Sequence, residues 1–302
     1  MRLGFNMASS KAPGKAILCG EYAVLHGAPA VAVAVDRFAT ARFGEGHSSP
    51  FLSYARAKVE ELTGKRFPPF HVDSAGLYDN DKKLGLGSSA AVTVAAVGLL
   101  WQASGGPKDQ RRLFDIAEAA HAAAQGTPGS GIDVAVSIWG GTIRFQRESS
   151  VDVREIDLPS ELKLTFAWTG KPASTAELIE KTAPLAASPE MKKLHQLATQ
   201  FADSIGDAAQ LVKTADAYGE AMGALGRAAG AEIVTPELQQ IAEIARKHGG
   251  AGKPSGAGGG DLAVVFTVGE ERTGQVRTAL SEAGFTVLPI SAPAPGLKWE
   301  SQ

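Results

Sequence analysis

A chain of 302 residues, 44% hydrophobic and 21% charged, has the apolar material for a sizeable core and the length of one large or two moderate domains. Its 30 Lys and Arg stand against 32 Asp and Glu, a formal net charge of -2. That excludes a global electrostatic footprint for nucleic acid or an anionic membrane, so any anion specificity has to be local. The single cysteine, Cys19, excludes an intramolecular disulfide, and no Cys/His cluster has zinc-ligand spacing. With neither a signal-peptide pattern nor an apolar run of membrane-spanning length, a cytoplasmic protein is expected.

In chain order, 16–35 is rich in Val, Ile, Leu and Ala and is interrupted by His26-Gly27-Ala28-Pro29, which predicts two strands with a tight connection. Ala55, Val59 and Leu62 among charged residues predict an amphipathic helix over 53–63, and Phe70 with Val72 a short strand. After Gly85-Leu86-Gly87-Ser88-Ser89, the run 90–103 is apolar almost all round and reads as a buried helix. An Ala-rich helix over 110–125 ends at Gly126. A loop over 126–131, an apolar stretch over 132–139, a Gly140-Gly141 break and a strand at 142–145 follow. Beyond about residue 160 come a strand at 162–168, a loop at 169–174 and several helical segments between 175 and 248. The glycine-rich 249–260 then leads to a strand at 262–267, a helix at 270–284 and a last strand at 286–290. The pattern is α+β with a boundary near 155–162 and no internal repeat.

Gly85-Leu86-Gly87-Ser88-Ser89-Ala90 stands directly before the buried helix. N–H groups of a tight loop and of a helix N-terminus converge there, which makes an anion site, and glycine admits a phosphate without a Cβ clash. Ser88 and Ser89 add hydroxyls that can donate to phosphate oxygens or ligate magnesium. Taken alone, the segment equally fits a serine-capped helix after a glycine turn. Gly14-Lys15 and Gly252-Lys253 lack the upstream glycine and the following Ser/Thr of a Walker A loop, so this is not a P-loop protein. A dinucleotide fingerprint would need glycine where Ala90 stands, and its acidic partner, Asp109, falls in a polar, proline-containing stretch. Lys253-Pro254-Ser255-Gly256-Ala257-Gly258-Gly259-Gly260-Asp261 runs straight into an apolar strand, so its glycines serve close backbone approach rather than slack.

Three motifs in order resemble those of the GHMP superfamily of small-molecule kinases. They are Lys11-Ala12-Pro13-Gly14-Lys15 leading to Gly20-Glu21-Tyr22-Ala23-Val24-Leu25, then Gly85-Leu86-Gly87-Ser88-Ser89-Ala90-Ala91, then Ser255-Gly256-Ala257-Gly258-Gly259-Gly260-Asp261. Within the superfamily, Gly20-Glu21-Tyr22, Lys82-Lys83-Leu84, His121-Ala122-Ala123-Ala124-Gln125-Gly126, the stretch 168–175 and Lys253-Pro254-Ser255 resemble phosphomevalonate kinases. The stretch 130–141, by contrast, is similar to mevalonate kinases.

The resemblance implies an α+β fold of two domains. One is an S5-like N-terminal domain with a left-handed βαβ unit over 1–158, which binds ATP; the other is a ferredoxin-like C-terminal domain over 159–302, with the active site between them. It implies ATP and Mg2+ as cofactors and conversion of phosphomevalonate to diphosphomevalonate in the mevalonate route to isoprenoids, with mevalonate as the alternative acceptor. No nucleic acid or membrane partner is implied, and the chain is expected as a monomer or homodimer. A ligand sensor without catalysis is the non-enzyme alternative; Lys15, Ser89 and Asp133 occurring together argue against it.

By the same resemblance Asp133 is the catalytic aspartate that accepts or orients the acceptor's proton, and Lys15 the lysine that contacts it and the transferring phosphoryl group. Lys83, Gly85, Leu86, Gly87, Ser88, Ser89 and Ala90 hold the nucleotide, and Ser89, or else Ser88, ligates magnesium. Lys15, Glu21, Tyr22, Ser130, Gly131, Asp133, Ser137, Lys171, Ser174, Gly256, Ala257 and Gly258 bind the acceptor. Outside that context Asp133 would be a turn or capping residue and Lys15 a solvated lysine. A phosphorylated acceptor brings a second anion, for which Lys82, Lys83, Lys171 and Arg144 are candidate contacts, Lys83 first; an exposed cation is the alternative for each. His121 stands where mevalonate kinases carry a magnesium-binding glutamate. A core or capping role is expected there ahead of direct ligation, which leaves magnesium to ATP oxygens, a serine hydroxyl and water.

Overall fold

The computed structural model describes residues 8–126, 129–171 and 175–301. The two predicted N-terminal strands are longer than their apolar centre: β1 (Ala8–Cys19) and β2 (Ala30–Phe43) pair antiparallel along most of their length. The register breaks at Pro13/Gly14 and Ile17/Cys19. A one-turn 3-10 helix at Ala23–His26 occupies the connection between them. Helix α1 (Pro50–Thr63), strand β3 (Phe70–Asp73) and a small hairpin of β4 (Tyr78–Asp79) and β5 (Lys82–Lys83) follow.

α2 (Ser88–Ala103) packs against β1, β2, α1, α3 (Gln110–Gln125) and α4 (Ile132–Trp139), which is why its sequence carries no polar face. Asp109, the acidic residue a dinucleotide reading would have used, is the N-cap of α3, its carboxylate accepting from Arg112 N–H. β6 (Thr142–Arg147) and β7 (Val151–Ile156) complete the first sheet, which runs β12-β1-β2-β6-β7 with β3 paired to the far end of β2.

The rest of the chain contributes β8 (Leu162–Trp168), α5 (Thr175–Thr182), α6 (Pro189–Asp203), α7 (Ala208–Ala229) and α8 (Pro236–Lys247). Then come β9 (Ala251–Pro254), β10 (Leu262–Val268), α9 (Glu270–Glu282), β11 (Thr286–Val287) and β12 (Lys298–Ser301). The second sheet is antiparallel, in the order β11-β8-β10-β9. The architecture is thus the expected α+β one of two sheets with packed helices. β9 lies inside the glycine-rich segment, where four fully buried residues pair with β10; close backbone approach, not a linker, is what the glycines serve. β12 leaves the second sheet's neighbourhood and pairs with β1, Ala8 opposite Ser301 through Lys11 opposite Lys298. The last predicted strand shrinks to two residues, and β4, β5, β7, β9 and β12 are strands that the sequence pattern does not predict.

Candidate active site

Lys15 sits in β1 opposite Ala34, in the stretch from Ala12 to Cys19 whose residues are all buried. Its side chain is 6% exposed, and Nζ emerges 3.5 Å from Asp133 Oδ2, on a side chain 36% exposed. Asp133 is in the first turn of α4, directly after Gly131, which caps the helix in the left-handed region at φ 88. The helix dipole favours an anion at that place. The Ser130 hydroxyl accepts from Ile132 N–H and secures the turn. A lysine and an aspartate 118 residues apart thus meet because β1 and α4 pack together.

The glycine loop lies along the other side of Lys15. Lys15 N–H donates to Leu86 O (2.9 Å), and Gly87 is the N-cap of α2 at φ 71, with no side-chain cap on the helix. A Cβ at Gly87 would lie 2.7 Å from Lys15 Cε, so the glycine is required by the lysine stem itself. The lysine stem is thus a second reason for glycine here, beside the expected approach of a phosphate. Gly85, Ser88 and Ala90 belong to the same turn and helix start, while Leu86 points into the core. Ser89 Oγ is 3.1 Å from His121 Nε2. Burial pushes the His121 imidazole below its ordinary pKa, against the opposing charges of Asp133 and Glu118. His121 therefore partners the serine expected to bear magnesium rather than filling a remote core position.

Beyond the Lys15–Asp133 pair opens a cavity lined by Glu21, Tyr22, Ser130, Gly131, Gly256 and Ala257 of the predicted set. Glu118, His121, Gln125 and an apolar floor including Ile17, Val24, Ile132 and Ile179 join them. Tyr22 Oη donates to Ala257 O (2.5 Å), and the Ser255 hydroxyl accepts from Ile17 N–H (2.8 Å), so the first and third motifs close the cavity together. Glu21 is paired with Lys253, Nζ to Oε1 2.5 Å, in a buried contact the spacing of the motifs did not announce.

Several predicted residues stand elsewhere. Ser137 is fully buried and donates to Pro13 O (2.8 Å), fastening α4 to β1 instead of facing the cavity. A Cβ on Gly258 would fall 2.2 Å from Ile233 O, so that glycine serves packing. Lys171 is exposed and ion-paired with Glu237. Arg144 is held by Gln146 and Asp152 between β6 and β7. Lys82 and Lys83 are exposed on β5, outside the cavity lining. Ser174 lies outside the described residues. Among the described residues no group of three or more His, Cys, Asp or Glu could hold a metal ion, and no helix is long and apolar enough to cross a membrane.

The family described as GHMP kinases N terminal domain matches residues 54–141, and GHMP kinases C terminal matches 208–285. The chain is 28% identical over 364 residues to a phosphomevalonate kinase of Streptomyces sp. strain CL190, covering 95% of this chain and 97% of that protein. It is 31% identical over 289 residues to a mevalonate kinase of Archaeoglobus fulgidus, covering 88% and 94%. A solved structure of Streptococcus pneumoniae phosphomevalonate kinase in complex with phosphomevalonate and AMPPNP superposes with a TM-score of 0.82 at 19% identity, covering 94% of this chain and 99% of that one. Two family domains in the expected order and a 31% identical relative across most of its length make the chain a member of the GHMP kinase family, and so a phosphotransferase.

Proposed function

We propose that the protein transfers the terminal phosphoryl group of ATP to phosphomevalonate, giving diphosphomevalonate in the mevalonate route to isoprenoids. The observation that carries a transfer reaction is the position of Lys15: its stem lies against the glycine loop, its Nζ is 3.5 Å from Asp133, and the cavity opens on the far side. The loop and the uncapped start of α2 supply N–H groups for the triphosphate. Lys15 offsets charge on the transferring group as the acceptor oxygen bonds to phosphorus and the bond to the bridging oxygen breaks. Asp133 orients the attacking oxygen, and would take its proton from an alcohol; a phosphate oxygen needs less of a base.

Magnesium, when bound with the nucleotide, neutralises phosphate charge. The Ser89 hydroxyl would hold it, and this sparse donor set fits an ion that keeps nucleotide oxygens and water as most of its ligands.

The choice of acceptor is supported by the likeness to the Streptomyces phosphomevalonate kinase over 95% of this chain and by the Tyr22 and Lys253 variants of the motifs. One observation favours mevalonate instead: of the four cations considered for a second phosphate, none lines the cavity. A coupled ATPase assay with both acceptors side by side decides the matter. We expect the higher kcat/KM with phosphomevalonate; a higher value with mevalonate overturns the choice.

A further inference from the structure

The glycine turn presents two hydroxyls at the start of α2, and their surroundings differ. Ser88 is 7% exposed, and its Oγ accepts from Tyr78 Oη of β4 (3.4 Å). Ser89, one residue on, is half-buried, and among the described residues its hydroxyl has one hydrogen-bond partner, His121 Nε2 on α3, at 3.1 Å. α2 and α3 pack together, and the Phe51 ring of α1 lies against the imidazole, their centroids 5.5 Å apart and their planes 30° apart. The ring is thus held by an aromatic neighbour while it meets the serine through Nε2.

A hydroxyl carries one proton and two lone pairs, so it can donate to a phosphate oxygen or place a lone pair on a cation. The sequence leaves both uses open for Ser89. A neutral imidazole has one acceptor nitrogen. With Nε2 as that acceptor, the serine proton turns to His121 and away from any phosphate, and the lone pairs stay free. With Nε2–H as the donor, the serine proton has no acceptor among the described residues, and a lone pair is spent on the ring.

We infer that His121 is a positioning residue: its Nε2 accepts the Ser89 hydroxyl proton, which commits Ser89 to ligating the cation that accompanies ATP instead of donating to a phosphate. The inference rests on the magnesium role proposed above for Ser89. His121 acts through the serine and is not itself a ligand, and Ser88, buried and engaged by Tyr78, takes no part. Hydrogen-bond partners of metal ligands change metal affinity by about 10–100-fold. A cation that keeps most of its shell in nucleotide oxygens and water belongs at the lower end of that range.

The test is calorimetric, at about pH 8, where an ordinary imidazole is neutral. It compares affinity for AMPPNP with Mn2+, standing in for magnesium, against affinity for AMPPNP without metal; the ratio isolates what the protein gives the cation. Ser89→Ala and His121→Leu should each lower the ratio by roughly 10-fold. His121→Gln, whose amide oxygen keeps an acceptor, should restore much of it, and His121→Leu should add nothing once Ser89 is replaced by alanine. A His121→Leu loss of the same size in the Ser89→Ala background would show that the imidazole acts independently of the serine. Both affinities falling alike, with the ratio unchanged, would show a packing role. Either result overturns the inference and leaves Ser89 in place as a ligand. An unaltered ratio in Ser89→Ala overturns the magnesium assignment and the inference with it. Urea denaturation checks every variant; if His121→Leu does not fold, His121→Phe replaces it in the cycle, keeping a ring against Phe51 without an acceptor.

Discussion

In the proposed transfer Asp133 and Lys15 carry the charges at the reacting group, and of the two Asp133, 36% exposed against 6% for Lys15, is the one whose charge can be removed without disturbing much packing. Asp133→Asn preserves shape and loses charge. Turnover should fall by about 10²–10⁴, with nucleotide affinity by calorimetry and the urea midpoint nearly unchanged; near-normal turnover removes Asp133 from the mechanism. Lys83, exposed on β5, is the cation next to the loop. If a second phosphate swings within its reach, Lys83→Met raises KM for phosphomevalonate and lowers kcat, while a loss confined to ATP affinity rejects that role. His121 titrates below its ordinary range. The unfolded chain then binds more protons between the depressed pKa and about 6.5, so the associated stability is present above that window and lost as pH falls through it. His121→Gln should flatten the fall in urea midpoint between about pH 7 and 5; an unaltered profile would mean the ring is not the titrating group.

At the scale of elements, two glycine turns approach their neighbours closely, one beside Lys15 and one in the packing against Ile233. Gly87→Ala places a methyl group 2.7 Å from Lys15 Cε, and φ 71 adds strain at a residue with a Cβ. The lysine has to move, so kcat should fall together with nucleotide affinity; a loss of affinity alone would show that the loop acts on the phosphates without touching Lys15. Gly258 answers to a different neighbour. At φ 80, a Cβ there would stand 2.2 Å from the carbonyl oxygen of Ile233, which cannot swing away as a side-chain end can. Gly258→Ala should cost about 1–3 kcal/mol in urea denaturation, with the acceptor KM of the folded fraction little changed. A large KM effect without a stability loss would return Gly258 to the binding site.

At the scale of the whole molecule, β12 carries the end of the chain back to the edge of β1, the strand that bears Lys15. Leu297, just before it, is 6% exposed, and its methyl carbons would lie 2.9 and 3.3 Å from a Cβ on Gly98 in α2. Ending the chain after Gly296 removes that side chain and uncovers the β1 edge. Stability should drop by about 2–5 kcal/mol, read from the denaturation midpoint, with aggregation promoted by the open strand; an unshifted midpoint would show that β12 adds nothing to the sheet. The strong local signals were legible in the residue order: the all-apolar helix α2, the amphipathic α1, the glycine turn before Ser88 and Ser89, and the Gly131 turn before Asp133. Each is written in a run of neighbours, through periodicity or through glycine, and the three motifs added the kinase family. What lay beyond that order depended on contacts across long stretches of chain. Short strands such as β9 and β12 exist because a partner edge awaits them. Lys171 was diverted to Glu237, and Ser137 to Pro13. The Ser89–His121 and Glu21–Lys253 contacts join residues 32 and 232 positions apart. A sequence determines which groups are available and how each segment prefers to fold, but burial decides which donor meets which acceptor, because only packing removes the water that would otherwise satisfy them all.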